Sequence, residues 1–516
     1  MTQTTDREKT PRPTARGGRR ARRDHPSARG MVLRGLAVGV VVVLLGAVIF
    51  ISGRSMVSAD PAQVSASVQG PREGVMAGEQ FTIAGKTSTG FARPVRLEGL
   101  VDQNWSPVES GSTGPAGGFR FSEVSAKRAE QFRVVLPEIR QMGQNHPTVT
   151  APLPEVRVVA QKVESFTVLP GIAQAGVPAA APAAAQLVAE AGFSPARRGR
   201  DVVVQRRAPG GSWEQVAKAT QGAEGKARFR LPQEAGTPYQ FRVVAAPYRG
   251  AARLASEAQA SNRWQLNFDE DFSEGVDPAL WASRQTEHAP TSSRTCAKAD
   301  SSMVSAGEGV ADLSVARDPA YALGTCEWEN PSTGASGTSD YFLNAHIGTQ
   351  AAYSFRYGVA AARVKFQEPR GMHGAFWLQD SGEAEGTIGA EIDTVEFFGK
   401  GFNNGGIASF IYPSEGEEVG GTQPDADRAL TGPKDNWWNR YHVFSVEWTP
   451  EEYVFRIDGV ETLRTDQGVA DRKVFVILSL LTSDWELDRI PEAGTGSMSV
   501  DWVRVWQDTR LAEQNL

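Results

Sequence analysis

Residues 389–399 read Gly-Ala-Glu-Ile-Asp-Thr-Val-Glu-Phe-Phe-Gly, an apolar, β-prone run that contains three carboxylates. A partly buried strand favours apolar side chains, so acids repeated within one require a specific reason. Glu391 and Asp393 are two residues apart and project from one face of a strand, whereas Glu396 would point to the opposite face. One extra residue between Asp393 and Glu396, a β-bulge, would return Glu396 to the first face. The spacing therefore predicts a bulged strand with three acids on one surface.

Three acids in this arrangement suit the cleavage of a glycosidic bond. One carboxylate attacks the sugar, a second protonates the leaving oxygen, and the acid between them tunes their charges. The alternative interpretation is a solvated strand edge, on which charges discourage pairing with other chains. The rest of the sequence has to decide between the two.

The length and composition indicate several β-rich domains. A chain of 516 residues exceeds one ordinary domain and suggests about three. Its 53 Gly and 30 Pro residues fit a turn-rich, all-β chain. Residues 1–34 contain ten Lys/Arg and three acids, a charge of +7, so the net charge of -6 leaves -13 for the remainder. Because an acidic surface repels phosphates, nucleic acid is not expected as a partner.

The amino-terminal segment has the pattern of a membrane anchor. Residues 1–30 are basic and lack a hydrophobic period, which predicts a disordered cytoplasmic tail. The apolar run within residues 31–53 predicts a transmembrane or signal-anchor helix. Basic residues before it favour a cytoplasmic amino terminus, with the later domains outside the cell membrane. The alternative is secretion after cleavage near the Val-Ser-Ala sequence at residues 57–59.

Residues 61–165 and 166–260 look like two copies of one unit. Each contains Gln-Phe-Arg-Val-Val, at residues 131–135 and 240–244, with a tryptophan upstream. Short alternating runs separated by Gly and Pro predict two β-sandwiches of about 100 residues. They resemble bacterial immunoglobulin-like modules. We interpret them as spacers, with carbohydrate-binding modules as the alternative.

Residues 263–508 contain strand after strand, and their motifs resemble glycoside hydrolase family 16. The matching blocks occur in the family's order at residues 268–272 (FDEDF), 277–281 (DPALW), 357–366 (YGVAAARVKF), 374–378 (GAFWL), 441–450 (YHVFSVEWTP), 455–459 (FRIDG) and 498–506 (MSVDWVRVW). The resemblance implies a concanavalin-like β-jelly-roll sandwich. It also implies a monomeric, retaining endo-glycosidase that hydrolyses internal β-glycosidic bonds of a polysaccharide of the β-glucan or galactan type.

Carried over to this chain, the resemblance makes Glu391 the nucleophile, Glu396 the general acid/base and Asp393 the helper. The bulged spacing is similar to that of the laminarinase and agarase branches. Retaining enzymes hold their two carboxyl groups roughly 5–5.5 Å apart. Two alternatives use the same domain: a transglycosylase acting on wall polysaccharide, and an inactive carbohydrate-binding surface protein.

Several tryptophans are candidates for stacking on a sugar ring. Trp377 precedes the acidic motif, and Trp485 lies in a segment where glucan-cleaving relatives usually carry Gly-Gly-x-Trp. For both, a core position is the alternative. Trp437 and Trp438 are further candidates. Residues 481–486 and 407–412 depart from the glucanase pattern, which argues against β-1,3-glucan specificity but not against the cleavage chemistry.

The two cysteines and the remaining polar residues give weaker predictions. Cys296 and Cys326 predict a disulfide formed in an oxidising compartment, with two buried thiols as the alternative. No cofactor and no catalytic metal are expected, and His442 is expected to be structural. A structural calcium ion occurs in relatives of the family. Asp501 with Glu270 or Asp271 could help to bind one, although ordinary surface acids are the simpler interpretation.

Overall fold

A computed structural model describes residues 64–141, 143–233, 238–288, 293–329, 334–382 and 388–514. The predicted tail at residues 1–30 and the predicted anchor at residues 31–53 lie outside these ranges. Within them, no helix is long and apolar enough to cross a membrane. The helices found there are short 3₁₀ turns: Pro182–Ala184, Ser261–Arg263, Ser301–Met303, Pro319–Tyr321, Asn403–Gly405, Ala426–Ala429, Asp484–Arg489 and Thr509–Gln514.

The first region contains a β-sandwich. Its strands are β1 (Ala66–Gln69), β2 (Val75–Met76), β3 (Gln80–Thr87), β4 (Pro94–Val101), β5 (Asn104–Ser112), β6 (Gly118–Ser125), β7 (Phe132–Leu136), β8 (Ile139–Gln141), β9 (Gln144–His146), β10 (Val149–Pro152) and β11 (Val158–Val159). Two sheets, β1-β3-β6 and β10-β7-β4-β5, enclose a core that includes Ile83, Leu97 and Val134. Along β6, Phe119 and Phe121 are buried while their neighbours are exposed, the alternation expected of a half-buried strand.

Residues Glu138–Pro147, which contain the hairpin β8–β9, separate from the rest of the described chain as a unit of their own. All the other strands belong to the second unit. Inside the hairpin, Ile139 pairs with His146 and Arg140 with Asn145 in antiparallel register.

The second region forms another sandwich with its own core. Its strands are β12 (Lys162–Ala173), β13 (Gln186–Ser194), β14 (Asp201–Arg207), β15 (Glu214–Thr220), β16 (Lys226–Leu231), β17 (Gln240–Ala245), β18 (Leu254–Ala255) and β19 (Gln259–Ala260). The sheets are β12-β13-β16 and β15-β14-β17-β18, and the core includes Val202, Phe241 and Val243. Both sandwiches thus pair three strands with a larger sheet. Their assignment as immunoglobulin-like modules stays a prediction.

The third region is the all-β jelly-roll sandwich that the sequence predicts. Its strands are β20 (Trp264–Glu270), β21 (Ala282–Ser283), β22 (Ala297–Ala299), β23 (Val304–Gly307), β24 (Val310–Arg317), β25 (Cys326–Glu329), β26 (Ser336–Ser339), β27 (Phe342–Gly348), β28 (Gly358–Lys365), β29 (His373–Asp380), β30 (Ala390–Phe397), β31 (Ile407–Pro413), β32 (Val419–Thr422), β33 (His442–Trp448), β34 (Tyr453–Ile457), β35 (Val460–Thr465), β36 (Val474–Leu481) and β37 (Gly496–Asp508).

Two layers make up this sandwich. The front sheet has the order β32-β31-β30-β29-β36-β27, and the back sheet has the order β24-β37-β28-β33-β34-β35. Strand β24 pairs with both β27 and β37 and so joins the layers. Inward-facing residues such as Phe376, Ile392 and Val446 fill the space between the sheets.

The second sandwich packs against the outer face of the back sheet. Val359 and Trp502 of the back sheet share a fully buried cluster with Leu169 and Val188 of the second sandwich. The indole Nε1 of Trp502 also donates a hydrogen bond to Gln174 Oε1 at 2.8 Å. The contact between the second sandwich and the jelly roll thus combines apolar packing with a directed hydrogen bond. The spacer role of the module stays a prediction.

The disulfide is confirmed. Cys296 and Cys326 are bonded, with 5.6 Å between their Cα atoms, and both are buried. The bridge joins the start of β22 to β25 and thereby holds the loop that precedes β22 against the jelly roll.

Candidate active site

The acidic strand β30 contains the predicted bulge. On β29, Phe376 faces Val395 and Trp377 faces Asp393, so one residue of β30, Thr394, has no partner in that ladder. Ile392 and Val395 both point into the core although they are three residues apart. The extra residue therefore restores the alternation, and all three acids lie on the outer surface of the front sheet, here called the front face.

Each acid faces a residue of a neighbouring strand. Glu391 lies opposite Gln379, and Glu396 lies opposite Ala375 of β29. On the other side, Tyr412 of β31 pairs with Glu391. Asp393 is 5% exposed, and the other two acids are half-buried. The trio thus stands in the middle of the sheet, where side chains are held by strands on both sides.

The surroundings raise the pKa of all three carboxyls. Burial raises the pKa of Glu391, with attraction to Arg294 and Arg284 opposing the rise. Burial raises the pKa of Asp393 well above its ordinary value, and repulsion from Glu396 and Glu391 adds to the effect. Burial also raises the pKa of Glu396. A cluster of this kind keeps protons at some of its carboxyls when an isolated acid would already be ionised.

Two arginines bring positive charge to the front face. Arg284 Nη2 donates to Gln379 Oε1 at 2.6 Å, and Gln379 Nε2 donates to Glu391 Oε2 at 3.4 Å, a chain that orients the Glu391 carboxylate. Arg294 lies in the loop before the disulfide. Asp484 holds that loop by accepting hydrogen bonds from the next two backbone N–H groups, at 2.9 and 3.3 Å.

The two predicted sugar-stacking tryptophans occupy different positions near the acids: Trp377 lies opposite Asp393 on β29, and Trp485 lies beside His373. Trp377 is half-buried on the front face, where its Nε1 donates to Ser479 Oγ at 3.1 Å and its ring stacks on His346 at 5.7 Å. Trp485 is 36% exposed and stacks on His373, with 5.7 Å between ring centroids. It lines a cavity of about 260 Å³ together with Phe398 and Phe402. Their roles in substrate binding stay predictions.

The other tryptophan candidates and His442 belong to the scaffold. Trp437 is 2% exposed and packs in the core against His442, so its interpretation as a cleft residue is wrong. Trp438 packs against the same core, with its ring 6.1 Å from that of Phe397. His442 is fully buried, and its Nδ1 lies 2.7 Å from Asp458 Oδ2. It is a structural histidine, as predicted.

Sequence reasoning missed several residues of the front face. His346 is 2% exposed and lines a cavity of about 380 Å³ together with Asn344 and Arg294. Register places it level with Glu396, through Ser479 and Ala375. No local pattern marks this histidine, because its relation to the acids depends on the order of four strands that are distant in the sequence.

The acids that the sequence suggested as possible calcium ligands bind other protein groups. Asp501 is 3% exposed and binds the buried guanidinium of Arg363, so it is not an ordinary surface acid. Glu270 accepts hydrogen bonds from the Phe272 backbone and from the indole of Trp281, at 2.7 and 3.1 Å. Within the described ranges, no group of three or more His, Cys, Asp or Glu side chains is arranged to hold a metal ion.

The comparisons with known proteins agree with the sequence motifs. Residues 323–504 match the sequence profile of Glycosyl hydrolases family 16. The chain is 28% identical over 181 residues to the clotting factor G alpha subunit of Tachypleus tridentatus, a match that covers 32% of this chain and 25% of that protein. It is 29% identical over 186 residues to a beta-glucanase of Rhodothermus marinus, covering 32% of this chain and 63% of that protein.

The chain therefore spans less than two thirds of either curated relative. Among solved structures, it aligns with the laminarinase catalytic domain from Thermotoga maritima MSB8 at 19% identity and a TM-score of 0.38, covering 48% of this chain and 100% of that one. The family 16 profile thus matches most of the last region, and the acidic strand β30 lies inside the matched residues.

Proposed function

We propose that the family 16 domain is a retaining endo-glycosidase that hydrolyses internal bonds of a β-glucan. The observation that carries the proposal is the bulge in β30, which brings Glu391, Asp393 and Glu396 to one face. A surface that only had to resist aggregation would not need three half-buried or buried acids in the middle of a sheet.

The first chemical step uses Glu391 and Glu396. The Glu391 carboxylate attacks the anomeric carbon while Glu396 gives its proton to the departing glycosidic oxygen, so one C–O bond forms as the other breaks. The product is a glycosyl ester on Glu391 and a free sugar hydroxyl. In the second step Glu396 takes a proton from a water molecule whose oxygen bonds to the anomeric carbon. The C–O bond to Glu391 breaks, and the sugar leaves with net retention.

Asp393 serves this cycle as a protonated neighbour. Because its pKa is well above the ordinary value, it stays neutral while Glu391 is ionised and adds no third negative charge to the front face. Arg284 acts through Gln379 and favours the ionised form of Glu391. The two main acids can thus hold different charges at one pH.

The substrate class and the location belong to the same proposal. One curated relative is named a beta-glucanase, which favours a β-glucan over a galactan for this chain. The disulfide fits an extracytoplasmic location, as does the basic and apolar amino-terminal sequence. Trp377 and Trp485 would stack on sugar rings of the bound polymer near the acids.

The roles of the two acids can be tested by chemical rescue on laminarin, mixed-linkage β-glucan and agarose. Glu391→Ala should lose activity and form an α-glycosyl azide when azide replaces the missing nucleophile. Glu396→Ala lacks the general acid and is therefore assayed on an aryl β-glycoside, whose phenolate leaves without protonation. It should form a β-glycosyl azide, because azide attacks the enzyme ester and needs no general base. Glu417→Gln is the matched control, since it removes an exposed acid of the neighbouring loop and should retain activity.

The pH dependence follows from the same assignments. Activity should rise as pH passes the raised pKa of Glu391, above the ordinary 4.5, and fall as pH passes the raised pKa of Glu396. Products of inverted configuration from the wild-type enzyme would contradict the retaining mechanism. A folded protein that cleaves none of the polymers would contradict the hydrolase activity.

A further inference from the structure

A buried ion pair outside the acid trio lies beside Glu396. Glu486, in the short helix Asp484–Arg489, is 4% exposed. Its Oε2 accepts a hydrogen bond from the Ser483 backbone at 3.1 Å and lies 2.6 Å from Nδ1 of His373. His373 is the first residue of β29 and is equally buried. The mechanism proposed above does not use either residue.

Strand register places His373 next to the proposed acid/base. Ala375 lies directly opposite Glu396, and His373 precedes Ala375 by two residues on the same face of β29. His373 is therefore the diagonal neighbour of Glu396, a separation that long side chains bridge. The indole of Trp485 covers the imidazole at an interplanar angle of 17° and keeps it in place.

The pair has a defined charge state. Burial of the His373 ring works against protonation, but attraction and hydrogen bonding to Glu486, together with attraction to Glu396, raise the pKa of His373 above its ordinary value. For Glu396, burial raises the pKa, attraction to His373 lowers it, and repulsion from Glu486 raises it. The two members of the pair therefore act on Glu396 in opposite directions.

We propose that His373 is a positioning residue for Glu396, because its protonated ring neutralises the buried Glu486 carboxylate and fixes the helix that carries Trp485. The proposal rests on the acid/base role assigned to Glu396 above. Without the imidazolium, an uncompensated carboxylate would stand beside a group that must release its proton in one step and recover it in the next. Because His373 neutralises Glu486, this carboxylate can hold the short helix in place without adding a repulsion that would prevent Glu396 from releasing its proton.

Other charged groups face the same residues and form a constant background. Those that face Glu396 or His373 from the neighbouring elements, or line the cavity beside Trp485, are Glu391, Asp393, Arg294, His346, Arg370, Asp488 and Arg489. None of them changes in the variants below, so differences between variants report on the pair alone.

The test compares His373→Asn, Glu486→Gln and the double variant. Asparagine keeps a hydrogen-bond donor near the position of Nδ1 but carries no charge. The titration of the Glu396 carboxyl is followed by ¹³C NMR, and the basic limb of the kcat/KM profile is measured on the polymer that the wild type cleaves. In His373→Asn, both should move upward by at least about half a pH unit, since a nearby charge shifts a pKa by about one unit or more. Adding Glu486→Gln should return both to near the wild-type value.

Two results would overturn the proposal: no upward shift in His373→Asn, or a shift that persists in the double variant. His442→Asn, which disturbs a buried histidine–aspartate contact in the back sheet, is the matched control and should leave the titration of Glu396 in place. If the wild type cleaves no polymer, the hydrolase proposal fails, whereas the NMR titration still decides the effect of the pair on Glu396.

Discussion

The contact between the second sandwich and the jelly roll can be tested at one glycine. Asp458 and Gly459 form the two-residue turn between β34 and β35, with φ angles of 46° and 77°. Such a turn favours glycine because its residues are left-handed. A Cβ added to Gly459 would lie 2.4 Å from Cγ2 and 3.0 Å from Cγ1 of Val188, in the second sandwich. Rotation of the valine cannot relieve both overlaps.

Gly459→Ala should therefore cost stability through two separate effects. The left-handed backbone adds about 1–2 kcal/mol of strain for a residue with a Cβ. Overpacking against Val188 adds about 1–3 kcal/mol. Val188→Ala alone loses two buried methyl groups and should cost about 1.5–2.5 kcal/mol. In the double variant the overlap disappears, so the total should fall below the sum of the single effects by about 1–3 kcal/mol.

Urea-induced unfolding followed by tryptophan fluorescence measures these free energies. Gly199→Ala is the matched control, because Gly199 has a φ of 81° and open space around its Cα, so only the strain should remain. Additivity of Gly459→Ala and Val188→Ala within about 0.5 kcal/mol would show that the two residues do not touch in solution. That result would refute the docked arrangement.

Three further predictions concern the catalytic domain. Deleting Thr394 should leave most of kcat/KM in place, because Glu391, Asp393 and Glu396 would then stand at alternate positions of a regular strand and all three would stay on the front face; loss of activity in a sheet shown intact by circular dichroism would contradict the bulge. Replacing Cys296 and Cys326 by alanine should lower the free energy of unfolding by about 3–4 kcal/mol, the chain-entropy value for a loop of this length, measured in urea; an unchanged midpoint would contradict it. Trp485→Ala should raise KM about five- to tenfold, equivalent to about 1–1.5 kcal/mol of stacking, with Trp485→Phe affected less; equal KM values in initial-rate assays would exclude sugar stacking.

The local features of the site could be predicted from the sequence because they depend on neighbouring residues. The bulge follows from the spacing of Glu391, Asp393 and Glu396, since apolar residues between the acids must still reach the core. The jelly roll follows from motifs spread over the last region. The disulfide follows from the presence of two cysteines in a single domain.

The features that were missed depend on contacts between distant segments. Arg284 and His346 reach the acids only through the order of strands β30, β29, β36 and β27, which no local pattern specifies. Trp437 was misread because a core tryptophan and a sugar-stacking tryptophan have the same sequence signal. Strand β28 indicates that another domain packs on the jelly roll, because its residues 358–364 are buried on both faces of the sheet. Such a strand must be covered on both sides.

The packing of the second sandwich against the jelly roll also determines which part of this chain can be transferred to another protein. A cut at residue 262 would separate the jelly roll from the surface that buries Val359 and Trp502, and would leave an apolar patch on the fragment. Fusion proteins that contain the jelly roll alone should therefore be insoluble. Fusion proteins that begin before β12 should stay soluble, because the second sandwich then buries the apolar patch. The smallest transferable unit is therefore the second sandwich together with the jelly roll.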